Sequence, residues 1–283
     1  MKILLSDIKQ NTHGGFDYES DETFQIVNDL FGILYVPMQE VPELELSSYS
    51  YSSIPRCYTY MDTGALSTSG VTRLHNHPYL KLQGKGTLVA VIDSGIDYLH
   101  PAFHNGVQSK IFSIWDQTLE GGADGRIPFG REFGRQQIEQ ALASENPWEI
   151  VPSSDTNGHG TRSAATAAGY RIEKDNFCGA APEAEIVIVK LKQAKNYLRD
   201  FYLLPRDIDI FQEDDIMLAI SYVLFIAQEQ QMPLSICIGL GTSMGAHQGE
   251  GPLNEYINSI AAFTQNAVSV PAGNEGTARH HLF

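Results

Sequence analysis

Thr87-Leu88-Val89-Ala90-Val91-Ile92-Asp93-Ser94-Gly95-Ile96-Asp97 is the stretch on which the fold turns. Leu88 to Ile92 is an unbroken apolar run, with none of the alternation that a half-exposed strand shows. Such a run suits a strand buried on both faces, as in a parallel sheet. Ile186 to Leu191, Leu234 to Leu240 and Val268 to Pro271 follow the same pattern. Helical signals lie between them. Glu213-Asp214-Asp215 puts acids at the positive end of a helix dipole, and Ile216, Ile220, Val223, Leu224 and Ala227 then share a face. Pro252 to Gln265 reads as another helix, with Leu253, Tyr256, Ile257, Ile260 and Ala261 as its stripe. Strand–helix–strand alternation predicts an α/β fold with a doubly wound, mostly parallel sheet. Sites in such sheets form at the carboxyl ends of the strands.

Three stations carry chemistry at such positions. Asp93 ends the first apolar run and Gly95 follows it. A carboxylate there is costly to desolvate unless it is hydrogen-bonded or has a task; the plain alternative is a turn-initiating aspartate. Gly158-His159-Gly160-Thr161 opens a segment rich in Ala and Ser, continuing to Gly169. Two glycines in a helical run cost about 1 kcal/mol each, so they argue for close approach around the imidazole. Val268-Ser-Val-Pro-Ala-Gly273-Asn274 ends a later strand, where the Asn274 amide is placed to donate to a developing oxyanion; alone it reads equally as a Gly-Asn turn.

The bulk properties exclude other classes. With 34 acids against 19 bases the formal charge is −15, which argues against a nucleic-acid partner and for a solvated acidic surface. Cys57, Cys178 and Cys237 are too scattered for a metal site or a disulfide framework. No acid-rich loop of the calcium-binding kind occurs, so no metal ligand and no cofactor are assigned. No stretch reaches the roughly 20 apolar residues of a membrane span, and the first residues, MKILLSDIKQ, do not form a signal peptide. Synthesis in the cytoplasm is therefore expected. A dinucleotide-binding module is disfavoured because Asp93-Ser-Gly-Ile-Asp97 offers one glycine where that turn needs three.

Taken together, Asp at a strand end, Gly-His-Gly-Thr opening a helix and Ala-Gly-Asn ending a later strand resemble the subtilase family over about residues 85–276. The Asp–His–Ser chain order of subtilisin is an established example of the triad. The resemblance implies a serine endopeptidase in which Asp93 orients His159, His159 acts as general base and then general acid, and Asn274 donates in the oxyanion hole. Gly239-Leu240-Gly241 resembles the family's Ser-Leu-Gly segment, which pairs with the substrate backbone, with Gly239 in place of the serine.

The family's nucleophile comes from Gly-Thr-Ser-Met-[AS]-x-Pro, tens of residues after Ala-Gly-Asn, whereas this sequence ends nine residues after Asn274. Gly241-Thr242-Ser243-Met244-Gly245-Ala246-His247 mimics that motif but precedes Asn274, falls in the cleft-lining segment and carries His247 where the proline belongs. Ser243 is therefore not expected to be the nucleophile. The chain reads as a fragment of a longer protease, with a sheet incomplete at its C-terminus and no activity of its own. The other reading is a non-catalytic pseudoprotease that binds or regulates.

Asp93 and His159 are 66 residues apart. The intervening loop, with Ile111-Phe-Ser-Ile-Trp115-Asp116-Gln117-Thr118, and the nearby Tyr98-Leu-His100-Pro101-Ala-Phe103 resemble the Csp-type subtilases of spore-forming Clostridia. That resemblance implies a protein substrate, the proenzyme of a cortex-degrading hydrolase cut during spore germination, and packaging in the spore. Residues 1–60 differ in pattern from 61–283 and would form a small α+β prodomain, a partner of the protease domain. Within it, Asp21 to Leu30 reads as a helix, Ile33 to Val36 as a strand, and residues 47–55 as a flexible linker.

Overall fold

The computed structural model of the 283-residue chain describes residues 2–6, 24–27, 31–35, 54–55, 57–60, 71–75, 77–121, 126–175, 177–242, 244–245, 249–263 and 265–271. The strands are β1 (Lys2–Ser6), β2 (Phe24–Ile26), β3 (Phe31–Tyr35), β4 (Cys57–Tyr60), β5 (Leu88–Asp93), β6 (Ile111–Asp116), β7 (Arg131–Gly134), β8 (Glu185–Lys190), β9 (Phe211–Gln212), β10 (Leu234–Ile238), β11 (Leu240–Gly241) and β12 (Asn266–Ser269). The helices are α1 (Val71–His75), α2 (Arg135–Leu142), α3 (Pro147–Ile150), α4 (His159–Ala168), α5 (Asn196–Phe201), α6 (Glu213–Gln230) and α7 (Pro252–Ala261). The chain divides into two compact units, one of residues 60–192, 222–241 and 263–283, the other of 1–59, 193–221 and 242–262.

The larger unit holds a six-stranded sheet in the order β12-β10-β5-β8-β6-β7, and only β7 runs antiparallel to its neighbour. This is the doubly wound, mostly parallel α/β architecture. β5 lies between β10 and β8 and every one of its residues is buried, which is why Leu88 to Ile92 needs no polar alternation. The alanines Ala164 and Ala168 of α4 enter the core together with Val89, Val91, Ile186 and Ile188. Small side chains bring that helix close to the sheet, where burial of each large apolar partner is worth about 1.5–3 kcal/mol.

The stretch between Asp93 and His159 is not a loop. Ile111–Asp116 forms β6, a parallel strand beside β8, and β7 closes the edge. Ile111, Ile114 and Trp115 are fully buried. Ser113 interrupts the apolar run and so hid the strand; its hydroxyl is hydrogen-bonded to the Tyr222 hydroxyl at 2.8 Å.

In the smaller unit β1, β3 and β2 form an antiparallel sheet. The helix expected over Asp21 to Leu30 is corrected here: Phe24–Ile26 is strand, with Phe24 opposite Leu34 and Ile26 opposite Gly32. Phe24-Gln25-Ile26 alternates as well as it coils, and pairing with β3 decides. The strand expected over Ile33 to Val36 is β3, beginning earlier at Phe31; Val36 lies outside the described residues. So does most of the expected 47–55 linker, but Ile54 and Pro55 are buried, Ile54 among Leu198 and Ile210. The Phe31 and Tyr256 rings meet edge-on at 6.4 Å, and Ser221 Oγ donates to Val27 O at 3.3 Å. Residues 213–220 of α6 are buried all round rather than on one face, acids included. Glu213 Oε1 accepts from Leu253 N at 3.3 Å and Asp214 Oδ1 from Gln212 Nε2 at 3.0 Å. The helix expected to reach Gln265 stops at Ala261, because β12 begins at Asn266. Among the described residues no helix is long and apolar enough to cross a membrane.

Candidate active site

Asp93 is the last residue of β5 and fully buried; His159 is the first residue of α4. Strand end and helix start thus bring the two side chains together: His159 Nδ1 lies 2.8 Å from Asp93 Oδ1 and 3.0 Å from Oδ2. A carboxylate only accepts, so Nδ1 carries the proton and the basic lone pair is on Nε2. Ser94 N also donates to Asp93 Oδ1, at 2.7 Å, which helps an anion persist away from water.

The glycines around this pair have separate causes. Gly158 precedes α4 at φ +80°, a left-handed turn that side chains resist. Gly160 is needed for contact: a Cβ there would overlap Gly95 O and sit 3.1 Å from Asp93 Cβ. Gly239 is tighter still. A Cβ on it would overlap Asp93 Oδ2 and lie 3.2 Å from both Asp93 Cγ and His159 Cε1. Gly239 therefore sits directly against the Asp–His pair, and Leu240–Gly241, as β11, continues from it.

Residues 84–202 match the subtilase family. An intracellular serine protease of Paenibacillus polymyxa is 29% identical over 196 residues, covering 69% of this chain and 43% of that protein. A subtilisin-like protease of Arabidopsis thaliana is 30% identical over 125 residues, covering 38% of this chain and 16% of that protein. The structure of the Clostridium perfringens CspB protease superposes with a TM-score of 0.61 at 30% identity, over 75% of this chain and 40% of that one. Residues 84–202 belong to the subtilase family. The chain's likeness to CspB matches the Csp-type resemblance carried by the insert. The chain spans less than half the length of each of these relatives.

In this subtilase segment Asp155 joins the two dyad-bearing stretches, a role not assigned from sequence. Its Oδ1 accepts from Ser94 Oγ at 2.8 Å and Gly158 N at 2.9 Å, and its Oδ2 from Thr161 N at 2.8 Å and Thr161 Oγ1 at 2.6 Å. Ser94 Oγ in turn accepts from Gly160 N at 2.9 Å. Burial alone would raise the Asp155 pKa, but the bonds from Thr161, Ser94 and Gly158 outweigh it and hold the carboxyl below its ordinary range. The available signal was Asp155 itself, three residues before a glycine that opens a helix. Cys237 is a free thiol whose pKa is pushed up to about 11 by burial, with Asp93 adding to the effect, so it is inert at neutral pH. Asn274, Ser243 and His247 lie outside the described residues. Among the described residues no group of His, Cys, Asp and Glu is arranged to hold a metal.

Proposed function

We propose that this chain supplies the acid–base half of a serine endopeptidase, with Asp93 and His159 as two members of an Asp–His–Ser triad. The observation that carries this reading is the buried bond between His159 Nδ1 and the Asp93 carboxylate at 2.8 Å. His159 Nε2 takes the proton of a serine hydroxyl as it attacks the scissile carbonyl. It returns that proton to the leaving amine, while Asp93 stabilises the imidazolium. The serine belongs to a segment beyond Phe283, a proposal supported by the share of the CspB chain that is matched, 40%. Asn274 donates to the oxyanion, and Gly239, Leu240 and Gly241 pair with the substrate backbone.

Residues 1–60 act as the prodomain of this protease. The packing of Phe31 on Tyr256 is consistent with a segment that folds against its own chain. The substrate we propose is a proenzyme of a spore-cortex hydrolase, cut at germination, with the protease held in the spore; the likeness to CspB supports it. Incubating the full-length protein with that proenzyme should release one new N-terminus, and His159→Ala should release none. Binding of the proenzyme without cleavage, by a protein whose serine motif is intact, would replace this reading with a non-catalytic binding role.

A further inference from the structure

The Trp-Asp-Gln-Thr corner of the insert has no part in the mechanism above, yet its aspartate is one of the most completely engaged acids in the larger unit. We propose that Asp116 is a positioning residue for the Asp93–His159 pair, acting through Ser153 and Lys190. The inference rests on the reading of that pair as catalytic.

Asp116 ends β6 and is fully buried. A carboxylate in that position is costly unless its oxygens are occupied. Oδ1 accepts from Thr118 N at 2.8 Å and Thr118 Oγ1 at 2.5 Å, which closes the local turn. Oδ2 reaches much further along the chain, accepting from Ser153 Oγ at 2.7 Å and lying 3.4 Å from Lys190 Nζ. Ser153 belongs to the segment that leads into His159, and Lys190 to β8, the strand beside the one that carries Asp93.

Ser153 lies in the irregular stretch Val151–Gly158, which leads into His159. That stretch has no helix or strand ladder to fix it. Between its ends side chains hold it: Tyr98 OH donates to Val151 O at 3.1 Å, Ser153 donates to Asp116, and Ser94 donates to Asp155. Lys190 ends β8, opposite Asp93 in one register and opposite Asp116 in the other. Three strand ends thus stand side by side. The Lys190 stem also packs under the turn after Asp93, since a Cβ on Gly95 would meet Lys190 Cδ at 3.0 Å and Ser154 O at 3.0 Å. One buried carboxylate therefore clamps the approach to the histidine and the strand beside the aspartate.

The test reads the bridging Nδ1 proton of His159 by NMR in the 283-residue chain, which needs no proteolysis. Wild type should give a low-field signal in slow exchange. Ser153→Ala and Asp116→Asn should move it upfield and speed its exchange by roughly tenfold, on the scale of one lost hydrogen bond. Ile138→Val, a loss of packing in the same core, should leave it in place. If Asp116→Asn fails to fold, Ser153→Ala decides alone. A signal unmoved in Ser153→Ala, or moved equally by Ile138→Val, would overturn the proposal and reduce Asp116 to a structural residue. A wild-type chain lacking the signal would overturn the dyad itself and this inference with it.

Discussion

Restoring a serine at position 239 should damage this protein, although the resembling family segment carries one there. A Cβ on Gly239 would overlap Asp93 Oδ2 and stand 3.2 Å from Asp93 Cγ and His159 Cε1. Carbon contacts relax at about 3.5–4.0 Å, so relief needs β11 or the dyad to move by roughly 1 Å. Overpacking of that kind costs about 1–3 kcal/mol of stability, and a misplacement of ~1 Å at a reacting group costs on the order of 10²-fold in rate. The offending atom is the Cβ itself, so Gly239→Ala and Gly239→Ser should behave alike. The assay is the rate of fluorophosphonate labelling in the full-length protein, with the thermal midpoint measured in parallel. Labelling at the wild-type rate with an unchanged midpoint in either variant would refute the steric reasoning.

Three other outcomes follow from the same geometry. Asp93→Asn leaves the shape but removes the acceptor that fixes the His159 tautomer, and turnover of the full-length enzyme should fall by about 10⁴. The Asp155 carboxyl is held below its ordinary pKa, so its stabilisation is present above the unfolded value of about 3.9 and is lost as pH falls through the lower folded value; Asp155→Asn should flatten that acid limb in urea titrations. Lys110 is buried, donates to the carbonyl oxygens of Ala168 and Pro182, and has its pKa lowered to about 8 by burial against a smaller opposing effect of Cys178. The unfolded chain then binds more protons above pH ~8, so stability should rise with pH toward ~10.4, and Lys110→Met should abolish that rise.

Much of this was legible because particular residues permit few alternatives. The run Leu88 to Ile92 without alternation is a central parallel strand, and it is one. That Asp93 and His159 would meet was readable from their places at a strand end and between glycines, and they do, at 2.8 Å. What stayed hidden depended on partners distant in sequence. β6 was masked by Ser113, which becomes tolerable in a strand only because Tyr222 supplies its hydrogen bond. Phe24–Ile26 is strand only because β3 lies beside it. Asp155 looked like a turn residue until Ser94 and Thr161 converged on it, and Gly239 looked like a substitution in a motif until its distance from the Asp93 carboxylate gave it a reason.

The central claim is that Asp93 and His159 serve a serine delivered from beyond this chain. Its most direct test is to label the full-length protein with a fluorophosphonate and map the modified residue by mass spectrometry. The account predicts one labelled serine, C-terminal to Phe283, and no label in His159→Ala. Label on Ser243, or a full-length protein with an intact serine motif that takes no label, would contradict it.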